Sequence, residues 1–394
     1  MQNKTFHPTR WTLVFLLLSS MMILMGGAAV APALPAISAA FPDASEAAIS
    51  LIITLPALAI VFSGFFIGAA VDKFGKVRIL AISLAVFTFA GVSGFFLTSL
   101  PAILVGRIIL GIGISGIVNT TTTLITDYYQ GPSRVKVLGY QAAAMGIGVV
   151  ILDTSGGFLA GISWRMAFLI YLLGLFILIG TLVTMKEPVR EKVNMTRDAP
   201  KNKTPVGSIV LIYITLFLGM MLFFLMPTKF PYLIAEYVEN SSALSGILLG
   251  ILGIFSALIG TLYWRIAGRI HRMVNISLSF ILLGAGYVLF GLSESMMIIV
   301  LSVIIIGIGN GLLMPTVLSW LGVITPREIM GKVMGGYGVS LNLGQFLASI
   351  VAIPVIMISV GYGQMFFIFG VIAIILGVFY LLGYLKVRNT SHTN

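Results

Sequence analysis

The sequence predicts an all-α membrane protein with twelve transmembrane helices in two pseudo-symmetric bundles of six. Three observations support this prediction: 59% of the 394 residues are hydrophobic, only 9% are charged, and long apolar runs recur along the whole chain. A soluble domain carries roughly 25% charged residues, and a helix that spans a bilayer needs about 20 mostly apolar residues. Cysteine is absent and the three histidines are scattered, which excludes a disulfide scaffold and argues against a metal centre.

The apolar runs between clusters of charged and turn residues define the predicted spans, taken in order. The first run follows Lys4 and Arg10 and could resemble a secretory signal, but the many later runs favour a first transmembrane helix. The predicted spans are approximately 11–38, 47–70, 78–98, 101–125, 136–159, 164–185, 207–229, 244–264, 274–292, 296–321, 332–356 and 364–385.

A polar segment near the middle of the chain divides these spans into two sets of six. Residues 186–206 carry six basic residues and the prolines Pro188, Pro200 and Pro205. We therefore expect an N-terminal half over 1–185, a cytoplasmic linker over 186–206 and a C-terminal half over 207–394.

The two halves share an internal repeat. GIG at 111–113 recurs at 307–309, and KVLGY at 136–140 recurs as KVMGGY at 332–337. Both pairs have the same separation, that between positions 111 and 307, which we call the repeat offset. A duplicated unit with an even number of spans gives parallel repeats related by an axis along the membrane normal.

The basic residues predict the orientation of the chain. With the N-terminus inside, all but three of the 23 lysines and arginines fall in cytoplasmic segments, and the exceptions are Arg107, Arg165 and Lys229. Both termini are then cytoplasmic. The net charge of +11 is explained by topology, so no nucleic-acid partner is expected.

The turn between spans two and three reads GAAVDKFGKVR, residues 68–78. It resembles the G-x-x-x-D-[RK]-x-G-[RK] signature of the major facilitator superfamily. The resemblance implies a twelve-helix carrier fold in which this turn is a cytoplasmic gating latch. In the second half the matching stretch is GTLYWRIAGRIHR, with Trp264 in place of the acid. The implied gating residues are Gly68, Asp72, Lys73, Gly75, Lys76 and Arg78.

Span four contains LVGRIILGIGISG, which resembles the R-x-x-x-G-x-G element of the same superfamily through Arg107, Gly111 and Gly113. A charge inside a span is costly, and it therefore marks a candidate functional site. The structural alternative is an arginine that snorkels to the outer interface.

Span five contains GYQAAAMGIGVVILDTSGG, residues 139–157, which resembles the antiporter motif of drug exporters. Gly139, Gly148 and Gly156 match that motif. Leu152 and Asp153 replace its Gly-Pro pair, so we expect a straighter helix than the motif implies. The replacement also weakens the inference from this motif that the protein exports its substrate.

Asp153 and Arg107 are predicted to lie at nearly the same depth, about 10 Å inside the outer helix ends. A buried arginine favours the charged form of a nearby carboxylate, which suggests an Arg107–Asp153 pair in the outer part of the N-terminal half. Asp153 is the only carboxylate clearly within the predicted spans, and Arg107 is read as the only buried cation. Asp153 is thus the candidate for proton coupling. The alternatives are a purely structural pair with Arg107, or direct contact with substrate.

Polar and adaptable side chains within the other spans are candidates for a substrate cavity, because each polar group costs free energy in lipid unless it faces protein or water. Hydrogen bonding between helices, or contact with lipid for the apolar members, explains any single one equally well. The candidates are Asn119, Gln141, Met25, Phe223, Phe224, Asn310, Asn342 and Gln345.

The resemblance implies a secondary active transporter that works by alternating access. We expect a proton-coupled antiporter that exports small amphipathic molecules, either drugs or metabolites, as a monomer in a bacterial or archaeal cytoplasmic membrane. The alternatives are an uptake or metabolite carrier of the same fold, a non-transporting receptor, and a membrane enzyme. No HExxH, GxSxG or nucleotide-binding loop occurs, so neither enzyme nor ATP-driven pump is favoured and no cofactor is expected.

Overall fold

A computed structural model of the chain describes residues 8–188, 206–267, 269–293, 295–326 and 329–392. The chain forms two compact units, Met1–Lys201 and Asn202–Asn394. Across the described ranges, twelve helices are long and apolar enough to cross a membrane, which confirms the predicted fold class. Most of the predicted linker over 186–206 lies outside the described residues.

The helices of the first unit follow the predicted spans closely. The first of them, α1, is broken by short 3₁₀ turns, and α6 begins with 3₁₀ geometry over Trp164–Leu172. The bounds are α1 Arg10–Ala40, α2 Glu46–Phe74, α3 Lys76–Phe96, α4 Leu100–Tyr128, α5 Gly131–Ile162 and α6 Trp164–Thr184.

The second unit also contains six helices. The prediction for its first span was wrong at the end, because the charge of Lys229 was taken as the helix limit. The helix continues to Tyr237, interrupted only at Phe224. The bounds are α7 Val206–Tyr237, α8 Ser242–Ile266, α9 Arg272–Gly291, α10 Met296–Ile324, α11 Met330–Ile358 and α12 Gly361–His392.

Local sequence explains several of the helix ends. The Thr9 hydroxyl accepts a hydrogen bond of 3.1 Å from the Thr12 amide at the start of α1, and Ser45 caps α2 in the same way. Pro101 lies in the first turn of α4, where a proline costs no hydrogen bond. Gly75 separates α2 from α3 with φ of +101°, a conformation that favours glycine.

The same helix pairs form the core of each unit. In the first unit α4 packs on α2 and α3, and α5 packs on α1; in the second unit α10 packs on α8 and α9, and α11 packs on α7. In addition, α3 packs on α6, as α9 does on α12. Apolar side chains fill these interfaces, with Phe87 and Phe280 almost fully buried.

Glycine contacts show that the repeat extends to the packing of the helices. A Cβ on Gly111 would lie 2.5 Å from the carbonyl oxygen of Pro56, and a Cβ on Gly307 would lie 2.7 Å from that of Leu252. The two glycines, and likewise their two neighbours, are related by the repeat offset. The same offset relates the close contact of Gly113 with Phe87 to the close contact of Gly309 with Leu283. The two six-helix bundles are therefore pseudo-symmetric in structure as well as in sequence.

Candidate functional site

Arg107 lies two turns into α4, and its side chain is only 1% exposed. Its Nη1 donates a hydrogen bond of 2.8 Å to the hydroxyl oxygen of Tyr171 on α6. The guanidinium carbon lies 4.6 Å from the ring centre of Phe168 and 5.0 Å from that of Tyr171. Desolvated cation–π contacts are worth about 2 kcal/mol. Arg107 is thus held between aromatic rings of α6 and does not extend to the surface.

The hydroxyl group of Tyr171 also reaches the backbone of α1 where that helix is irregular. A 3₁₀ turn over Met22–Leu24 interrupts the α-helical hydrogen bonds, which leaves carbonyl groups in need of partners. The Tyr171 oxygen lies 3.2 Å from the carbonyl oxygen of Met25 and 3.4 Å from that of Gly26. Tyr171 accepts from Arg107 and donates to α1, and so it connects three helices.

The second unit contains a related tyrosine contact, but from a different helix. The Tyr287 hydroxyl on α9 donates a hydrogen bond of 2.6 Å to the carbonyl oxygen of Leu222, next to the interruption of α7. The repeat offset relates Leu222 to Gly26, and it relates Tyr287 to Gly91. A Cβ on Gly91 would lie 2.3 Å from the Tyr171 ring. Each broken helix is therefore held by a tyrosine, supplied by α6 in one unit and by α9 in the other.

Asp153 is buried on α5, with 5% of its surface exposed. The structure corrects the proposed ion pair: within the described part of the chain, no nitrogen of Arg107 lies within 4.0 Å of an Asp153 oxygen, and Arg107 bonds to Tyr171 instead. The Oδ1 atom of Asp153 and the Nη2 atom of Arg107 are buried without a hydrogen-bond partner in the described structure. The Asp153 oxygen can accept one further hydrogen bond, and the Arg107 nitrogen can donate one.

The contacts of α5 with α1 fix the depth of Asp153. A Cβ on Gly148 would lie 3.0 Å from the Met21 side chain, and a Cβ on Gly156 would lie 2.1 Å from the Ala29 carbonyl oxygen. Asp153 lies between these two contacts, level with the irregular part of α1. Because a buried carboxylate without hydrogen bonds is costly in its charged form, binding a proton or a cation here lowers the free energy.

The glycine motif on α5 is only partly a packing motif. Gly148 and Gly156 contact α1, whereas no atom of the described residues lies within 4 Å of a Cβ on Gly139. The helix runs without interruption over Gly131–Ile162. The helix is therefore unbroken where the motif has its Gly-Pro pair, and the straighter helix expected there stays a prediction.

Replacing Gly156→Ala should destabilise the first unit, because its Cβ would overlap backbone atoms of Ala29 that cannot rotate away. We expect a cost of about 2–3 kcal/mol and a fall in melting temperature of roughly 5 °C or more in detergent. Gly139→Ala is the matched control on the same helix, and it should be neutral or stabilising by about 0.5–1 kcal/mol. Equal melting temperatures for the two variants would show that the close contact with α1 is wrong.

The turn between α2 and α3 is held by an acid that the sequence did not single out. The carboxylate of Glu187, beyond the end of α6, accepts hydrogen bonds from the backbone amides of Lys76 and Val77. A Cβ on Gly75 would lie 2.7 Å from that carboxyl group. Gly75 is therefore needed for the approach of Glu187 as well as for the turn, and Glu187 caps the N-terminus of α3.

A second acid completes this arrangement. Lys76 forms an ion pair with Asp127 in the last turn of α4, and Tyr128 donates to the carbonyl oxygen of Lys186. Asp72 is exposed and has no hydrogen bond or ion pair to any residue that the structure describes. The turn therefore carries a cluster of charges whose acids are Asp127 and Glu187 rather than Asp72, and its role as a gating latch stays a prediction. The other predicted residues of the turn make few contacts. Lys73 lies against Phe74, Arg78 is exposed, and no atom of the described residues lies within 4 Å of a Cβ on Gly68.

Two of the cavity candidates connect helices. Gln141 Nε2 donates to the hydroxyl groups of Ser20 and Thr122 at 3.0 and 3.3 Å and so joins α5, α1 and α4. Asn310 Nδ2 donates to Ser256 at 2.9 Å, joining α10 to α8, and its Oδ1 has no partner among the described residues.

The other candidates make more local contacts. Asn119 and Asn342 bond carbonyl groups of their own helices, Gln345 is half-buried, and Met25 is fully buried. Phe223 and Phe224 lie at the interruption of α7, with ring centres 6.3 Å apart.

Lys229 is a buried cation that the sequence analysis took as the end of the seventh span. It is 0% exposed, and its Nζ lies 5.8 Å from the ring centre of Tyr232. Arg107 is therefore not the only buried cation. The apolar residues after Lys229, in FPYLI, were the signal that the helix continues.

Comparison with known proteins relates the chain to one family of transporters. The family model of the Major Facilitator Superfamily matches residues 16–349. Multidrug resistance protein 1 of Bacillus subtilis is 26% identical over 326 residues, which cover 79% of this chain and 80% of that protein. The class H tetracycline resistance protein of Pasteurella multocida is 26% identical over 223 residues, covering 56% of this chain and 54% of that protein.

Solved structures resemble the fold over nearly its full length. A D-xylose–proton symporter aligns with a TM-score of 0.78 at 17% identity, covering 94% of this chain and 96% of that one. A bacterial homologue of the human lysosomal transporter Spinster aligns with a TM-score of 0.77, also at 17% identity and with the same coverage of both chains. At such identity the likeness concerns the fold alone.

Proposed function

The chain belongs to the major facilitator superfamily, and on that premise we propose that it is a proton-coupled antiporter that exports small amphipathic molecules. Membership makes it an integral membrane transporter of small-molecule substrates. The direction of transport, the coupling ion and the chemistry of the substrate are the proposed part. We further propose that the transporter acts as a monomer in a bacterial or archaeal cytoplasmic membrane with both termini in the cytoplasm, as the basic residues favour.

The buried carboxyl group of Asp153 carries the proposal of proton coupling. It lies on α5, level with the irregular part of α1, and its Oδ1 has no partner in the described structure. Arg107 is bonded to Tyr171, and Asp153 forms no ion pair with any described residue, so its carboxyl group is available to exchange a proton. Such a group inside a membrane span is by default a candidate functional residue.

The relatives support export rather than uptake. Those compared above are named for multidrug and tetracycline resistance, and another multidrug efflux protein of Bacillus subtilis is 34% identical over 160 residues, or 40% of this chain. The aromatic and methionine side chains beside the breaks of α1 and α7 suit adaptable apolar ligands.

Everted membrane vesicles test this function directly. Vesicles that contain the transporter should accumulate a lipophilic dye such as ethidium only when a proton gradient is present, and dye addition should release protons from the vesicle lumen. Vesicles without the transporter are the control. Accumulation in right-side-out vesicles instead would favour an uptake carrier, and dye flux without proton movement would contradict antiport.

A further inference from the structure

The turn between α8 and α9 corresponds to the α2–α3 turn, but it is built differently. A Cβ on Gly64 would lie 3.7 Å from Ser115, and a Cβ on Gly260 would lie 3.7 Å from Gly311. The repeat offset relates Gly64 to Gly260, and it also relates Ser115 to Gly311. With this packing, Trp264 occupies the position in the second unit that Gly68 occupies in the first. The alignment of Trp264 with Asp72 was therefore wrong. In that register α8 ends one helical turn earlier than α2, at Ile266.

An open basic pocket of about 320 Å³ lies at the end of α8 in the second unit. Its lining consists of Trp264, Arg265, Ala267 and Arg269. Trp264 is 72% exposed, and the guanidinium carbon of Arg265 lies 5.2 Å from its ring centre. Neither arginine has a hydrogen bond or ion pair to any described residue.

The corresponding turn of the first unit shows what this pocket lacks. There Asp127 pairs with Lys76, and Glu187 bonds the start of α3. The repeat offset relates these two acids to Val323 and Gly383, neither of which can neutralise a cation. The arginines of the pocket must therefore find their counter-charge outside these positions.

We propose that this pocket binds the phosphate group of an anionic membrane lipid. It lies at the end of a membrane-spanning helix, on the face that the basic residues assign to the cytoplasm. Basic residues just beyond a span attract anionic lipids, and guanidinium groups fit phosphate oxygens with two hydrogen bonds. An exposed tryptophan at a helix end is suited to the headgroup level of a bilayer.

Native mass spectrometry of the purified full-length protein, titrated with phosphatidylglycerol or phosphatidylcholine, tests this proposal. The wild type should retain phosphatidylglycerol in clear preference to phosphatidylcholine. The double variant Arg265→Gln with Arg269→Gln should bind phosphatidylglycerol roughly thirty-fold more weakly, since each cation in contact with the bound headgroup contributes about a fivefold factor. Circular dichroism and gel filtration check that the exposed substitutions leave the fold intact.

The matched control removes Arg134 and Lys136, by the same substitutions to glutamine, from the start of α5. This pair is also exposed, and Lys136 likewise lies against an aromatic ring, that of Tyr140 at 5.7 Å. The control should keep the wild-type affinity. An equal loss in the control, equal binding of the two lipids, or displacement of the lipid by inorganic phosphate at matched concentration would each overturn the lipid site.

Discussion

Asp153→Asn is expected to abolish uphill transport while downhill equilibration of the substrate persists. Asparagine keeps the shape of the side chain in its buried place on α5 but cannot release or take up a proton. One exchanged proton supports an accumulation of roughly fifty-fold at a proton-motive force of about 100 mV. The variant should lose this factor entirely. Proteoliposomes with an internal pH dye measure substrate accumulation and proton movement together.

Asp43→Asn is the matched control for this substitution. Asp43 is an exposed acid between α1 and α2, so the same chemical change there should leave the accumulation ratio unchanged. A melting temperature of Asp153→Asn close to that of the wild type would exclude misfolding as the cause. Full proton-coupled accumulation by Asp153→Asn would mean that its role is structural and that another group carries the proton.

The twelve helices were predictable because the bilayer sets their length and apolar content. The exception is α7, where a single lysine was read as the end of a span. Lys229 is buried within the second unit, so hydropathy along the chain could not reveal that it has protein around it. The repeat offset was also visible in the sequence, and the packing of Gly111 and Gly307 follows it.

The candidate site was predictable in its residues but not in its contacts. Motifs drew attention to Arg107 and Asp153, and their similar depth followed from counting residues along α4 and α5. Depth alone suggested an ion pair, because a linear sequence does not show which way a side chain turns. The partner of Arg107 is Tyr171, 64 residues away on another helix, and its ring needs the space left by Gly91.

Tyr171→Phe should weaken the protein more than Tyr287→Phe, although each change removes only one hydroxyl group. Loss of the Tyr171 hydroxyl removes a hydrogen bond from the charged Arg107 and the donor to the α1 carbonyls. A hydrogen bond to a charged group contributes about 1.5–3 kcal/mol, and a neutral one about 1 kcal/mol. Thermal unfolding in detergent should therefore show about a twofold larger cost for Tyr171→Phe, with Tyr287→Phe as its counterpart in the other unit.

The same two variants test whether the hydrogen bonds of Tyr171 only stabilise the fold or also affect transport. The Tyr171 contact lies on the irregular part of α1, level with Asp153, whereas the second unit has no described aspartate or glutamate at the break of α7. Tyr171→Phe should therefore change the pH dependence of substrate accumulation, because it frees Arg107 to approach the Asp153 carboxylate and to favour its charged form. Tyr287→Phe should leave the pH profile unchanged. A matching shift in both variants would mean that the two tyrosines only stabilise broken helices, and that Arg107 does not influence the proton site.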